Sequence, residues 1–159
     1  MILKPDYNVK CLFDINIEEL KNRGAKALMF DLDSTVMASK TGVYDEKVYN
    51  WLCELNEQFE VAILSNNTNK KYIDNVAQQS CFKVIGAAAK PNPKVALQHL
   101  AEWGIAPKEA VVIGDRPLTD VLVGKRMGAM TVLVDSITCD TESKIVRFVR
   151  FLERLVIRK

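Results

Sequence analysis

Short apolar runs alternate with longer amphipathic segments along the chain. Each run is apolar on both faces, which is typical of strands inside a parallel sheet. The segments between the runs have the apolar spacing of helices. This alternation predicts an α/β domain with a central parallel sheet of about five strands and helices on both faces. The predicted strands are residues 27–30, 61–64, 84–85, 110–113 and 131–134, and the predicted helices are residues 18–23, 45–59, 69–79, 93–103 and 117–127.

Four polar residues follow predicted strands, either directly or after a short loop. They are Asp31, Ser65, Lys90 and Asp115. In an open α/β sheet, ligands bind beyond the carboxyl ends of the strands. Residues far apart in the sequence are therefore expected to meet at one edge of the sheet, and this edge is the predicted functional site.

Composition and charge narrow the class of protein. The 159 residues suffice for one domain, and 48% apolar with 26% charged residues is an ordinary globular balance. A disordered chain would contain fewer apolar residues. The 22 Lys and Arg residues exceed the 20 Asp and Glu residues by two, which is too few for a uniformly basic surface that binds nucleic acid. Nucleic acid is therefore not an expected partner.

The cysteines and the lack of a long apolar stretch predict a cytoplasmic protein. Cys11, Cys53, Cys81 and Cys139 are widely spaced and form no zinc-ligand pattern, so we expect four reduced thiols. No stretch reaches the roughly 18 apolar residues of a spanning helix. The first residues also lack the apolar run of a signal peptide. We expect a protein that at most attaches to a membrane surface.

The most informative polar segment is DLDST, residues 31–35. The carboxylates of Asp31 and Asp33 repel one another unless a cation lies between them. Mg²⁺ prefers such oxygen ligands, so a magnesium site is one interpretation, and a polar turn that only caps the strand is the other. The further candidate residues are Ser65, Asn66, Asn67, Lys90, Asp115 and Asp120.

These groups together suit a phosphate monoester. Its non-bridging oxygens need positive charge and hydrogen-bond donors before a carboxylate can approach phosphorus. Mg²⁺ and Lys90 would supply the charge, and Ser65 the hydroxyl donor. Helix N-termini near Thr68, Asn92 and Pro117 would supply N–H donors. One aspartate can then form an aspartyl-phosphate while the second transfers the protons.

Four motifs occur in the order found in haloacid dehalogenase-like (HAD) phosphatases: DLDST, ILSNN, the lysine of AAAKPNP, and VVIGDRPLTD. Residues 30–120 carry this resemblance, which implies a three-layer Rossmann-like fold and Mg²⁺ as the cofactor. By resemblance, Asp31 is the nucleophile and Asp33 the acid/base. Ser34 stands where the family most often has glycine, a difference expected to affect only the loop.

The resemblance also implies roles for the other motif residues. Lys90 is expected to act in catalysis and in phosphate binding, and Asn66 is expected to contact the phosphate beside Ser65. Ser65 is expected to bind the phosphate. Asp115 is expected to bind the metal together with the Asp31 carboxylate and the Asp33 main-chain carbonyl. Asp120 is expected to support the metal site or the lysine, and Thr35 matches the motif threonine.

Residues 3–5 (LKP), 14–16 (DIN) and 124–134 (GKRMGAMTVLV) are similar to the YqeG-type subfamily, HAD type IIIA. This group includes phosphatidylglycerophosphate phosphatases, so the resemblance implies a lipid phosphate monoester as substrate. Many relatives insert a cap domain after the first motif or between the second and third. Here the intervals 35–61 and 67–90 have room for only one or two elements each. We therefore expect an open site, with a lid from a partner subunit as the alternative.

The last residues predict a basic amphipathic helix over about 142–158. In one interpretation its apolar face covers the sheet and its arginines are solvated, and in the other the helix meets anionic lipid. Residues 141–159 hold six basic and two acidic residues, a net charge of +4, which leaves 16 against 18, or −2, for the rest. The apolar face comprises Ile145, Phe148, Val149, Leu152, Leu155 and Val156, and the opposite face comprises Arg147, Arg150, Arg154 and Arg158.

Three other functions match parts of the sequence. The same chemistry can act on a soluble nucleotide, a sugar phosphate or a phosphoprotein. A non-catalytic binding domain shares the scaffold, although every motif position is filled here. A signalling receiver domain also clusters aspartates with Ser/Thr and Lys, but its phosphate-accepting aspartate follows the middle strand, where this chain has Ser65. We therefore predict a Mg²⁺-dependent enzyme that converts phosphatidylglycerophosphate to phosphatidylglycerol, acting as a cytoplasmic protein that can be peripheral at the membrane.

Overall fold

Six parallel strands form one sheet in the computed structural model, which describes residues 3–137 and 144–157. The strand order is β1-β6-β5-β2-β3-β4, and helices cover both faces. The prediction of a parallel α/β sheet is confirmed, with six strands in place of about five. The strands are β1 (Tyr7–Asn8), β2 (Ala27–Phe30), β3 (Glu60–Leu64), β4 (Lys83–Ile85), β5 (Ala110–Gly114) and β6 (Met130–Leu133).

The strand that the apolar pattern misses is β1. It has only two residues, and Asn8 is exposed, so it contributes no apolar run. Its Tyr7 pairs with Val132 of β6 at the edge of the sheet. A strand this short is recognised only from its hydrogen bonds to a neighbour, which the sequence pattern does not contain.

The predicted helices form within a few residues of their expected bounds, and polar side chains cap several of them. Asn16, Asp45 and Asn69 each accept hydrogen bonds from N–H groups of the first turn that follows. The final predicted helix of the sheet region begins as a π-helical turn, Pro117–Val121. The α-helices are α1 (Ile17–Asn22), α2 (Glu46–Asn56), α3 (Lys70–Gln79), α4 (Lys94–Glu102), α5 (Leu122–Met127) and α6 (Lys144–Ile157).

The core has two layers, one on each face of the sheet. Successive residues of a strand point to opposite faces, so Leu28 and Phe30 of β2 pack with α1, α2 and α3, whereas Ala27 and Met29 pack with α4 and α5. All four residues are completely buried. The central strands are therefore apolar throughout, and their polar neighbours lie beyond the strand ends.

The expectation of four reduced thiols is wrong for one pair. Cys53 on α2 and Cys81, just before β4, form a disulfide, with their Cα atoms 6.5 Å apart. The two residues are 28 positions apart in the sequence, so only the packing of α2 beside β4 brings them together. Cys11 is an exposed free thiol, and Cys139 lies outside the described residues.

No helix in the described ranges has the length and apolar content needed to cross a bilayer.

The C-terminal helix α6 does not pack with its apolar face on the domain. Glu153 is buried, whereas Phe148 and Phe151 are 59% and 56% exposed. The structure therefore differs from the interpretation in which the apolar face of this helix covers the sheet. The physical reason is that polar contacts of Glu153 and Arg154 attach the helix, and Glu153 lies on the side away from the phenylalanines. Residues 142, 143 and 158 of the predicted helix lie outside the described residues.

Asp6 attaches the segment before β1 to β6. Its carboxylate accepts hydrogen bonds from the N–H and the hydroxyl of Thr131, both at 2.9 Å, and pairs with Lys125 at 2.8 Å. Burial opposes ionisation, but these donors outweigh it and hold the pKa of Asp6 below its ordinary value of 3.8.

We expect Asp6→Ala to lower the free energy of unfolding by about 2 kcal/mol at neutral pH, because buried Thr131 loses an acceptor. The folded-state pKa is depressed, so this contribution is present above the ordinary pKa and is lost as the pH falls through the folded pKa. Urea unfolding at several pH values measures the difference. Glu57→Ala, at an exposed position, should change stability by less than about 0.5 kcal/mol. A difference for Asp6→Ala that stays constant at acidic pH would contradict the role of the charge.

Candidate active site

The polar residues that follow β2, β3, β4 and β5 line one pocket at the carboxyl edge of the sheet. β2 runs directly into Asp31, whose N–H donates to the Ile113 carbonyl of β5 at 2.8 Å. The pocket has a volume of about 260 Å³. Its lining residues are Asp31, Asp33, Ser34, Ser39, Ser65, Asn66, Asn67, Lys90, Arg116 and Thr119.

A second cavity, of about 310 Å³, lies between the N-terminal segment and α6. Its charged lining residues are Lys4, Asp6 and Arg154, and Asp6 is already engaged with Thr131 and Lys125. The residues that line this second cavity include no pair of carboxylates beside a buried lysine. We therefore place the functional site in the pocket lined by Asp31, Asp33 and Lys90.

The loop after β2 makes a tight turn at Ser34. This residue has a φ of +69°, in the left-handed region that glycine adopts without steric cost, and its N–H donates to the Met37 carbonyl at 2.8 Å. Glycine, which the resemblance to HAD phosphatases leads us to expect here, would adopt this conformation without strain. Next to it, the Thr35 hydroxyl donates to the fully buried Asp115 carboxylate at 3.0 Å, so the first and fourth motifs are joined directly.

Lys90 is the centre of the site's charge. Its Nζ lies 2.6 Å from Oδ1 of Asp31 and 2.7 Å from Oδ1 of Asp120, and its side chain is only 3% exposed. Burial alone would lower the pKa of Lys90, but the two carboxylates outweigh it and raise the pKa above its ordinary value. The lysine is therefore a permanent positive charge beside Asp31.

Asp120 serves the lysine more directly than it serves a metal. Its Oδ1 accepts from Lys90, and its Oδ2 accepts from the Arg116 N–H at 3.1 Å. Burial and the nearby charge of Asp31 raise its pKa, while Lys90 opposes that shift. Gly114 makes room for it, because a Cβ on Gly114 would lie 2.2 Å from the Asp120 Cγ. Of the two roles predicted for Asp120, these contacts favour support of the lysine.

Asn66, for which a phosphate contact is predicted, contacts the backbone of Lys90. Its Oδ1 accepts from the Lys90 N–H at 2.7 Å, and its Nδ2 donates to the Lys90 carbonyl at 2.9 Å. The amide therefore holds the backbone of Lys90, and Asn66 also lines the pocket, where its phosphate contact stays a prediction. Ser65 accepts from the Asn67 N–H at 3.1 Å, so its own hydroxyl hydrogen can be donated into the pocket.

Two donors that the motifs did not indicate hold Asp33. The Tyr72 hydroxyl, at 2.7 Å, and the Lys40 N–H, at 2.9 Å, both donate to Oδ1 of Asp33. Burial and this carboxylate raise the pKa of Tyr72, so its hydroxyl stays protonated and continues to donate. Tyr72 lies on α3, 39 residues from Asp33 in sequence. No sequence spacing connects the two.

The acidic residues fit a hard divalent cation such as Mg²⁺. Carboxylate oxygens of Asp31, Asp115 and Asp120 lie within 4.8 Å of one another. Oxygen ligands at this separation are the chemistry that Mg²⁺ requires. Both Asp120 oxygens also accept hydrogen bonds, from Lys90 and from the Arg116 N–H.

Arg116 connects the pocket to α6. It lines the pocket, and its Nη2 lies 3.1 Å from Oε1 of the buried Glu153. Sequence reasoning missed this pair, although a signal was present. Glu153 is the single acidic residue among the basic and apolar residues of α6.

Comparison with known proteins identifies the family. Residues 87–144 match the HAD-hydrolase-like family model. The chain is 33% identical over 154 residues to the probable phosphatase YqeG of Bacillus subtilis (strain 168), an alignment that covers 96% of this chain and 88% of that protein. The chain belongs to the YqeG-type HAD phosphatases. The resemblance seen in the four motifs is thereby confirmed, and the enzyme is a phosphatase.

A second relative of this HAD phosphatase is phosphatidylglycerophosphate phosphatase 1, chloroplastic/mitochondrial, of Arabidopsis thaliana. The two are 29% identical over 168 aligned positions, which cover 98% of this chain and 47% of that protein, so this chain spans about half of that relative.

Solved structures share the fold of this HAD phosphatase. A predicted HAD-like family hydrolase from Porphyromonas gingivalis matches with a TM-score of 0.57 at 16% identity, covering 81% of this chain and 98% of that one. A HAD family enzyme from Bacteroides thetaiotaomicron, solved in complex with magnesium and inorganic phosphate, matches with a TM-score of 0.54 at 16% identity, covering 79% of this chain and all of that one. At these identities the likeness concerns the fold alone.

The hydrogen bond from Tyr72 to Asp33 yields a kinetic prediction. We expect Tyr72→Phe to lower kcat about fivefold and to leave KM nearly unchanged, because the loss of about 1 kcal/mol affects the orientation of Asp33, the predicted acid/base, and not substrate binding. Steady-state hydrolysis of p-nitrophenyl phosphate measures both constants. Tyr49→Phe, which removes the hydroxyl of another half-buried tyrosine, is the control. Equal effects of the two substitutions would contradict the positioning role.

Proposed function

We propose that this HAD phosphatase hydrolyses phosphate monoesters through an aspartyl-phosphate on Asp31 and that its substrate is phosphatidylglycerophosphate. The observation that carries the chemistry is the Asp31 carboxylate, which lines the pocket with its Oδ1 held by Lys90 at 2.6 Å. That contact orients the carboxylate and leaves Oδ2 for attack. A carboxylate fixed beside a permanent cation at an open pocket suits attack on an anionic phosphate.

The reaction then follows in two steps. Oδ2 of Asp31 forms a bond to phosphorus, the bond from phosphorus to the ester oxygen breaks, and Asp33 gives its proton to the leaving alcohol. Asp33 next takes a proton from a water molecule, whose oxygen attacks phosphorus and releases inorganic phosphate from Asp31. Both carboxyl groups return to their starting protonation states, so Asp33 acts first as an acid and then as a base.

The phosphate oxygens are proposed to meet Lys90 and Ser65. Lys90 neutralises part of their charge, and Ser65 donates its hydroxyl hydrogen. The Asp31 and Asp115 carboxylates, with the Asp33 main-chain carbonyl, would hold Mg²⁺. Bound there, Mg²⁺ supplies further neutralisation of the phosphate charge. Complexes of the B. thetaiotaomicron enzyme with magnesium and phosphate support this assignment by analogy of fold.

The lipid substrate is supported by the relatives and by the open pocket. One relative of nearly equal length is a probable phosphatase, and another is a phosphatidylglycerophosphate phosphatase. Between β2 and β3 the described chain adds a loop and α2, and between β3 and β4 it adds α3, so no cap domain interrupts residues 31–82. A phosphate presented on a large surface can therefore reach Asp31, which favours a peripheral enzyme at an anionic membrane. Soluble phosphate esters are the second candidate.

The nucleophile and the metal are tested together. We expect Asp31→Asn to lower phosphate release more than about 1,000-fold, because the amide cannot form the aspartyl-phosphate. EDTA should abolish wild-type activity, and added Mg²⁺ should restore it. Asp74→Asn, at an exposed position on α3, is the matched control and should keep full activity. Retained turnover by a folded Asp31→Asn variant, or activity indifferent to EDTA, would contradict the proposal.

The substrate is tested with a panel of esters. Phosphatidylglycerophosphate in mixed micelles should be hydrolysed with a kcat/KM at least about tenfold above that of a nucleotide, a sugar phosphate and a phosphopeptide, because remote parts of the correct substrate contribute binding energy. Phosphate release with and without Mg²⁺ measures each value. A preference for a soluble ester would overturn the lipid assignment and leave the aspartyl-phosphate chemistry in place.

A further inference from the structure

The largest exposed apolar surface in the described chain lies on α6. Six large apolar side chains there are between 37% and 59% exposed, while Glu153 of the same helix is buried. A helix that only covers a sheet shows the opposite pattern. The exposed apolar face of α6 comprises Phe148, Val149, Phe151, Leu152, Leu155 and Val156.

Polar contacts hold α6 in this orientation. Glu153 pairs with Arg116 at 3.1 Å, and Arg154 pairs with Asp135 at 2.7 Å and donates to the Val134 carbonyl at 2.9 Å. Glu153 lies on the side of the helix away from the phenylalanines, and Arg154 lies between Glu153 and Phe151 around the helix. The attachment therefore directs the apolar face of α6 outward.

This face lies next to the mouth of the catalytic pocket. Arg116, the partner of Glu153, lines the pocket, and α6 packs on the segment Pro117–Val121 that follows it. Two further apolar residues near the mouth are exposed. Leu118 precedes the lining residue Thr119, and the N–H of Ile137 donates to the carbonyl of Ser34 in the catalytic loop at 3.0 Å.

The charge of α6 selects the kind of surface that would cover its apolar face. Its 14 residues contain four basic residues and one acidic residue, a net charge of +3. The acidic residue, Glu153, is already paired with Arg116. An exposed apolar stripe on a basic helix is typical of helices that lie in the interface of an anionic bilayer.

We propose that the apolar face of α6 inserts into the headgroup region of an anionic lipid bilayer and thereby places the catalytic pocket at the membrane surface. This inference rests on the proposed lipid phosphatase activity, for which it supplies the docking surface. Insertion removes the six apolar side chains from water, while the basic residues attract the lipid headgroups. The pair of Arg116 and Glu153 keeps the inserted helix attached beside the pocket.

Flotation of the full chain with vesicles tests the proposal. Wild-type protein should bind vesicles of phosphatidylglycerol and phosphatidylcholine, and bind vesicles of phosphatidylcholine alone more weakly. The double substitution Phe148→Ser/Phe151→Ser should lower binding to the anionic vesicles at least about tenfold, because two aromatic side chains no longer enter the interface. Phe148→Leu/Phe151→Leu should retain most of the binding. Phe13→Ser, at an exposed phenylalanine outside α6, should bind like wild type.

Activity on two substrates separates this proposal from the proposed function. The serine double variant should hydrolyse soluble p-nitrophenyl phosphate like wild type, which also shows that it folds, and should lose activity on phosphatidylglycerophosphate embedded in vesicles. Vesicle binding without phosphatidylglycerophosphate hydrolysis would overturn the substrate and leave the docking surface intact. Unchanged vesicle binding by the serine variant would overturn the docking surface. A wild-type dimer that the serine variant converts to a monomer, with no vesicle binding by either, would assign the face to a second copy of the chain.

Discussion

A buried lysine charge is the constraint on which the catalytic edge of the sheet depends. An ammonium group loses its hydration when it is buried, and only well-placed carboxylates compensate for that loss. Lys90 meets this requirement between Asp31 and Asp120. The three residues follow β4, β2 and β5, so the compensation exists only when these strands keep their register. The pairing of Phe30 with both Ile63 and Ile113 maintains that register in the central strands.

The same constraint explains several residues that carry no charge. Gly114 has no side chain because Asp120 occupies the space where a Cβ would lie. Asn66 uses both ends of its amide on the backbone of Lys90, which fixes the point from which the lysine side chain starts. Thr35 ties the first motif to Asp115. Motif residues that look like candidate ligands in the sequence therefore serve in part to hold charged residues in place.

The sequence predicts those parts of the molecule that depend on local pattern. Apolar runs on both faces identify the five longer strands, and the chemistry of DLDST, Lys90 and Asp115 identifies the edge where they meet. Contacts between distant residues leave no such pattern. The two-residue strand β1, the disulfide of Cys53 with Cys81, and the hydrogen bond from Tyr72 to Asp33 depend on tertiary packing, which neither periodicity nor spacing encodes.

Helix α6 shows why an amphipathic pattern alone does not determine which face packs. The period of apolar residues establishes that the two faces differ, and burial of the apolar one is the usual result. Here Glu153 finds a partner in Arg116 at the pocket, and that contact turns the side of the helix opposite the phenylalanines toward the domain. The apolar side then needs a cover that the described chain does not supply. An open pocket also lacks a cover of its own over the reacting phosphoryl group, a task that a cap performs in other folds of this kind. In the proposed arrangement one anionic lipid surface meets both needs, because it buries the apolar face of α6 and closes over the pocket at the same time.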